Sequence, residues 1–319
     1  MSKNEVLNST RVLIENPKYV FIKPEKIDSA AAMLSQDGWN IPSWKADFYP
    51  EGDDNYVTDF FFLTNTINFA FTDFSTGQKY SQTYKGKEIS GAGGMVASVK
   101  KALEAGIPLL DSNFLRDISN EQMSEIFRGN IDIPMLTERA QIFREVGRIL
   151  FREYGGSFHN LVNRSEGLAF NNGKGIVERL AGDFPSFNDS VEYNQQRVIF
   201  NKRAQLAVGQ VHGRFLAEGR KFVKDIEKLT AFADYVLPKG MRDMGLLGYE
   251  KSLADRVDKQ IIIPAGSQEE LEIRASTIHC FEMLRQKLGL PNALALDAKI
   301  WYKFRKGGSY HHLTPTIDY

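Results

Sequence analysis

Ile142-Phe143-Arg144-Glu145-Val146-Gly147-Arg148-Ile149-Leu150 sets apolar side chains at 142, 146, 149 and 150. Spacings of three and four place those four on one face of an α-helix, which reads as the buried stripe of a mainly helical protein. Gly155-Gly156 closes it, because glycine takes the left-handed backbone that ends a helix. Outward from this stretch the same spacing runs from Ser90-Gly91 to the neighbourhood of residue 230. Lys202 to Leu216 and Glu269 to Leu288 read as further helices, the second entered at Ser267 with Glu270 three residues on as a candidate capping box.

Toward the N-terminus, residues 22 to 36 read as a short helix entered after Pro24 and closed near Gly38. The run from Phe60 to Phe71 is too aromatic for a surface element and passes into period-two alternation around Lys79 to Tyr84. That predicts a small β-meander with Ser75-Thr76-Gly77 and Lys85-Gly86 as turns. The sum is roughly ten helices against about three or four strands, a mainly α chain with a small β-meander, of the α+β class. No repeat, low-complexity tract or Pro/Gly-rich linker divides it. The expectation is one domain over residues 1–319, its β-containing part about 1–90 and the remainder helical.

Composition narrows the function. Of 319 residues 42% are hydrophobic and 25% charged, enough for a sizeable core. Forty Lys+Arg balance 40 Asp+Glu, whereas a chain gripping a polynucleotide backbone usually carries a basic excess. A small-molecule ligand and no polynucleotide partner fit this balance better. Cys280 is the single cysteine, so neither an intrachain disulfide nor a cysteine zinc cluster can form. The N-terminus lacks a secretory apolar run and no segment has membrane-spanning length, so the expected location is cytoplasmic, with no membrane partner and a monomeric state.

The candidate chemistry centres on Leu229-Thr230-Ala231-Phe232-Ala233-Asp234-Tyr235-Val236-Leu237-Pro238, one carboxylate between two aromatics in an apolar segment. Desolvation disfavours a charged carboxylate, so Asp234 asks for a cation or hydrogen-bond donor, unless it is a structural acid or a helix cap. Lys202-Arg203 sit among Phe200, Ala204, Leu206, Ala207 and Val208, an apolar setting that draws at least one cation inward. A buried cation needs an anion, either Asp234 or a ligand phosphate. Asp297 and Trp301, four apart, share a helix face and offer a carboxylate beside a flat aromatic, which suits a purine-like base carrying an amine. Ser90-Gly91-Ala92-Gly93-Gly94 reads as a tightly packed helix start, since it lacks the spacing of a phosphate-binding loop. The five histidines show no metal-ligand spacing, and adjacent His311-His312 would point apart in an extended chain; neither a metal nor another cofactor is expected.

These pieces share an order. F-x-KRAQ at Phe200 to Gln205, LT-x-FADY-x-LP at Leu229 to Pro238, Glu272-Ile273-Arg274, and Asp297 followed by Trp301 together resemble the queuosine salvage proteins. Tyr84-Lys85-Gly86 with Ser90-Gly91, Ala102 to Pro108, Tyr154 to Phe158 and Phe184-Pro185-Ser186 extend the resemblance over nearly the whole chain. Departures occur at Asn65 and Ile67, and at Lys45-Ala46-Asp47, where many relatives carry a histidine shortly after the tryptophan.

The resemblance implies a hydrolase that cuts the N-glycosidic bond of queuosine 5′-monophosphate and releases queuine for salvage into tRNA modification. It implies Asp234 as the carboxylate facing C1′, with Lys202 holding it ionised or taking the phosphate with Arg203. Phe232, Tyr235 and Trp301 would supply stacking faces and Asp297 would bind the base or its side-arm amine. Helical architecture and one essential aspartate also resemble helix-hairpin-helix DNA glycosylases, although Lys239-Gly240 to Gly245 does not fit their hairpin. A base-excision enzyme and a non-catalytic binder of queuosine derivatives are the alternative readings.

Overall fold

The computed structural model describes residues 4–319. Among them fifteen α-helices accompany six short strands, paired antiparallel in three two-stranded sheets. The chain is thus mainly α with small β elements. The opening stretch lies in the helix Leu136–Glu153, with Ile142, Val146, Ile149 and Leu150 buried. Gly155 and Gly156 stop it at φ +58° and +92°, and Gly156 N donates to Leu150 O at 2.9 Å.

Several expectations change. The aromatic run falls as far as Thr66 in the helix Asp54–Thr66, capped by Asp53 accepting from Tyr56 N and buried at Phe60, Phe61, Phe62 and Leu63. An element buried on every side shows no stripe, so periodicity could not classify it. The meander reduces to one hairpin, Ser81–Tyr84 with Lys87–Ser90 around Lys85-Gly86, plus a bridge from Thr72 to Lys79. Ile22 ends the strand Val20–Ile22, and the helix that follows is Ile27–Leu34. At Ser267 only half of the capping box forms, because the Glu270 carboxylate accepts from Gly266 N instead of Ser267 N.

Strand is not confined to the first ninety residues. Ser190–Tyr193 pairs with Gln196–Ile199 across Asn194 and Gln195, both left-handed, the backbone that a tight two-residue hairpin loop requires. Val20–Ile22 pairs with Leu247–Tyr249.

The core lies in two buried clusters. Phe60, Phe143, Val146, Ala204 and Val208 belong to one; Leu13, Ile273, Ile278, Leu296 and Ile300 belong to the other. The segment leading to Asp234 stitches them together. Phe232 packs into the first cluster while Ala231 and Ala233 pack into the second. This is the alternation of an extended chain, whose successive side chains face opposite ways. Asp234 follows at the seam.

Candidate active site

The extended segment lacks a sheet neighbour, and two side chains take that place. Gln205, on the helix Lys202–Leu216, accepts from Thr230 N at 2.9 Å and donates to Phe200 O at 2.9 Å. Asp297, on the helix Leu294–Phe304, accepts from Phe232 N at 2.8 Å through Oδ2. The Phe232 ring then fits against Gly209, where an added Cβ would stand 2.8 Å from Phe232 Cζ and 3.0 Å from Leu294 Cδ2.

At Asp234 the chain turns into the helix Val236–Asp243. Its two oxygens differ. Oδ1 accepts from Val236 N at 2.8 Å and Leu237 N at 3.1 Å, satisfying donors that open the helix. Oδ2 accepts from the indole Nε1 of Trp301 at 3.2 Å. Asp234 is therefore a cap and a presented carboxylate at once, half-buried and fixed in orientation.

Asp297 lies beside it, 8% exposed. Burial raises its pKa well above the usual carboxylate range, opposed by the Phe232 N–H and reinforced by the Asp234 charge. Lys202, 5% exposed, is the cation common to both acids. Burial lowers its pKa, and attraction to Asp234 and Asp297 works against that. Its position is set by its own main chain, since Lys202 N donates to Asp189 Oδ2 at 2.9 Å. Asp189 is held in turn by the Arg274 guanidinium at 2.8 and 2.6 Å, a buried two-point ion pair beneath the site. Sequence reasoning noted Arg274 only as part of the family pattern and missed Asp189.

Two expected residues face elsewhere. Arg203 is fully buried, and its terminal nitrogens donate to the main-chain carbonyls of Asn65, Thr66 and Ser186. Arg139 does the same for Ile67, Phe69 and Ala70. Together they close the C-terminal end of the Asp54–Thr66 helix, where carbonyls lack partners. Both terminal nitrogens of Arg203 are thus engaged, and its one unpartnered donor, Nε, is buried. Tyr235 turns toward the C-terminal segment: its hydroxyl donates to Thr314 O at 2.5 Å and its ring meets His311, His312 and Tyr319 at 5.2, 5.1 and 4.8 Å between centroids. Both histidines reach this one ring because residues 310–316 are irregular and not an extended strand.

An open cleft of about 410 Å³ adjoins this group, between Trp44, Lys45 and Tyr49 on one side and Ala298, Lys299 and Tyr302 on the other. Asp234 is not part of its wall. Ala298 and Tyr302 occupy the side of their helix next to the one that carries Asp297 and Trp301, so cleft and carboxylates share that helix. The Trp44 wall rests on Gly213, where an added Cβ would lie 2.7 Å from Pro42 O and collide with the indole. The cations of the cleft are engaged: Lys45 pairs with Glu218 at 3.2 Å, and Lys299 donates to Asp37 O and Gly38 O. Among the described residues no three His, Cys, Asp or Glu side chains gather as a metal site, and no helix is long and apolar enough to cross a membrane.

A carboxylate presented next to a desolvated lysine, a second acid and a cleft of nucleotide-like size is a constellation suited to stabilising positive charge on a bound ligand. Residues 48–303 match the family model of the queuosine salvage proteins. A Sphaerobacter thermophilus protein named queuosine 5′-phosphate N-glycosylase/hydrolase is 32% identical over 98% of this chain and 97% of its own length. Proteins of the same name from Mus musculus and Bos taurus are 32% and 30% identical, over 88% and 95% of this chain and 83% and 96% of theirs. The chain belongs to the queuosine salvage protein family.

Proposed function

We propose that this protein hydrolyses the N-glycosidic bond of queuosine 5′-monophosphate and releases queuine. The observation that carries the reading is the Asp234 carboxylate, pinned through Oδ1 by two backbone N–H groups and presented through Oδ2 beside Trp301. Breaking the C1′–N9 bond builds positive charge on the ribose. A fixed carboxylate stabilises that charge in the transition state more than in the neutral ground state. Lys202 keeps the site's acids compensated while substrate is absent. The base is a 7-deazaguanine, with carbon where a purine has N7, so the leaving group must be activated at another edge. Asp297, its pKa raised by burial, is suited to hold a proton toward the base. Trp301 supplies an aromatic face, worth on the order of 1–3 kcal/mol by analogy with base stacking, whereas the Phe232 ring, expected to do the same, is taken up by the core.

The same reading takes the chain as one domain, since the Asp234 segment draws on both cores, and as a monomer acting in the cytoplasm on a small nucleotide. Likeness to helix-hairpin-helix DNA glycosylases enters it only as an analogy of chemistry; residues 236–245 run from a helix into a turn, with no paired-glycine hairpin. Incubation of purified protein with queuosine 5′-monophosphate, followed by mass spectrometry, should reveal free queuine. Binding of the nucleotide without release of the base would leave a queuosine-binding protein; cleavage of DNA or RNA in preference would make it a base-excision enzyme.

A further inference from the structure

Ser157 opens the helix Phe158–Asn163, yet its hydroxyl does not cap it. A serine in that place ordinarily accepts from an N–H two or three residues on. Here the acceptor comes from another helix. Asp59, on Asp54–Thr66, accepts from His159 N through Oδ1 at 2.7 Å, and its Oδ2 lies 2.9 Å from the imidazole Nδ1 of the same residue. An ionised carboxylate can only accept, so Nδ1 carries the hydrogen and Nε2 keeps its lone pair. Burial raises the pKa of Asp59, and the hydrogen bonds from His159 work against that. The Ser157 hydroxyl, released from capping, stands 3.3 Å from the free Nε2. Hydroxyl, imidazole and carboxylate thus follow in line, with Ser157 and His159 both half-buried and open to solvent.

A small apolar cavity of about 10 Å³ adjoins this row, walled by Leu63, Leu109, Leu110, Leu115 and Leu150 and bordered by Asp59 and Ser157. It has room for one water-sized group, which is also the size of a methyl. Among the described residues none of the three bonds to Asp234, Lys202 or Asp297. We propose that Ser157, His159 and Asp59 form a second reactive centre, a serine nucleophile with its general base and an orienting carboxylate, that cleaves acetyl esters. Ser157 Oγ adds to the acetyl carbonyl carbon as its proton passes to His159 Nε2. The bond from that carbon to the alcohol oxygen then breaks, and the departing oxygen takes the proton from Nε2. Water adds to the acetyl-serine and gives a proton to Nε2; acetic acid leaves as Oγ regains that proton. The acetyl methyl fills the leucine cavity, which is too small for a longer acyl chain.

Purified protein given p-nitrophenyl acetate should release p-nitrophenolate, and peptide mapping by mass spectrometry after an acid quench should find the acetyl group on Ser157. Ser157→Ala should remove that adduct at an unchanged Tm. His159→Gln and Asp59→Asn should each slow acetylation by about 10²-fold or more. The hexanoate ester should react at least about tenfold more slowly than the acetate. Release of queuine from queuosine 5′-monophosphate should stay at the parental rate in Ser157→Ala. No acetyl group on Ser157 in the parent, or acetylation equally fast in His159→Gln, would overturn the centre; equal rates with the hexanoate would overturn its acetyl specificity. Loss of queuine release in Ser157→Ala would make the serine part of the glycosidic site and end its standing as a separate one.

Discussion

The indole N–H of Trp301 meets Asp234 on Oδ2, the oxygen opposite the one held by the N–H groups of Val236 and Leu237. The carboxylate is thereby fixed from two elements, with its remaining acceptor capacity on the Trp301 side.

Asp234→Asn keeps an oxygen for the helix cap, removes the charge and takes the acceptor from the Trp301 N–H. Folding and substrate binding should persist, while single-turnover cleavage should slow by about 10²–10³-fold or more. A rate within about tenfold of the parent would remove Asp234 from the chemistry.

Asp297 carries a stability signature. Its folded-state pKa is raised, so the folded protein binds the proton more tightly than the unfolded chain. Stability is then lost as pH rises from the ordinary carboxylate value of 3.8 toward the raised one. Asp297→Asn can still accept from Phe232 N and does not titrate. Its Tm should exceed that of the parent by a margin that widens from acidic to neutral pH, while activity falls. A margin that narrows with rising pH would contradict the desolvated acid.

Arg203→Met should act on stability and not on substrate choice. It orphans the carbonyls of Thr66 and Ser186, at about 1–3 kcal/mol for each buried group left unpaired. Urea unfolding should report the loss, and the preference for monophosphate over nucleoside should stay at the parental value. A collapse of that preference with stability intact would return Arg203 to the substrate.

Asp189→Ala strips Arg274 of its two-point partner and Lys202 of its N–H acceptor. The buried guanidinium, left with only Glu270 at 3.7 Å, should cost up to about 3–5 kcal/mol of stability. Asp189→Ala combined with Arg274→Met should recover part of that loss, because the guanidinium leaves together with its two-point partner and only Glu270, 3.7 Å from it in the parent, is left as a buried acid able to take up a proton. Purely additive losses in the double variant would argue against the pair as a coupled unit.

Helices with a clear stripe were legible, and so was the placing of Asp297 and Trp301 on one helix, because i,i+4 spacing alone brings them onto one face. What the sequence hid depended on partners far away or on main-chain acceptors. Arg203 looked like a phosphate ligand since no residue type announces the carbonyls of Thr66 and Ser186. Four-residue strands at Ser190–Tyr193 and Gln196–Ile199 are too short for alternation to show, with Asn194 in the turn as the one local sign.

Gly213 gives the helix Lys202–Leu216 a second duty. Lys202 stands at its first position, and about three turns further on the missing side chain of Gly213 lets Pro42 and Trp44 settle directly on the same rod. The jaw of the cleft and the buried Lys202 cation are thus mounted on one caliper. A methyl group at 213 would open that caliper from behind, so the width of the cleft is gauged by an atom the protein does not have.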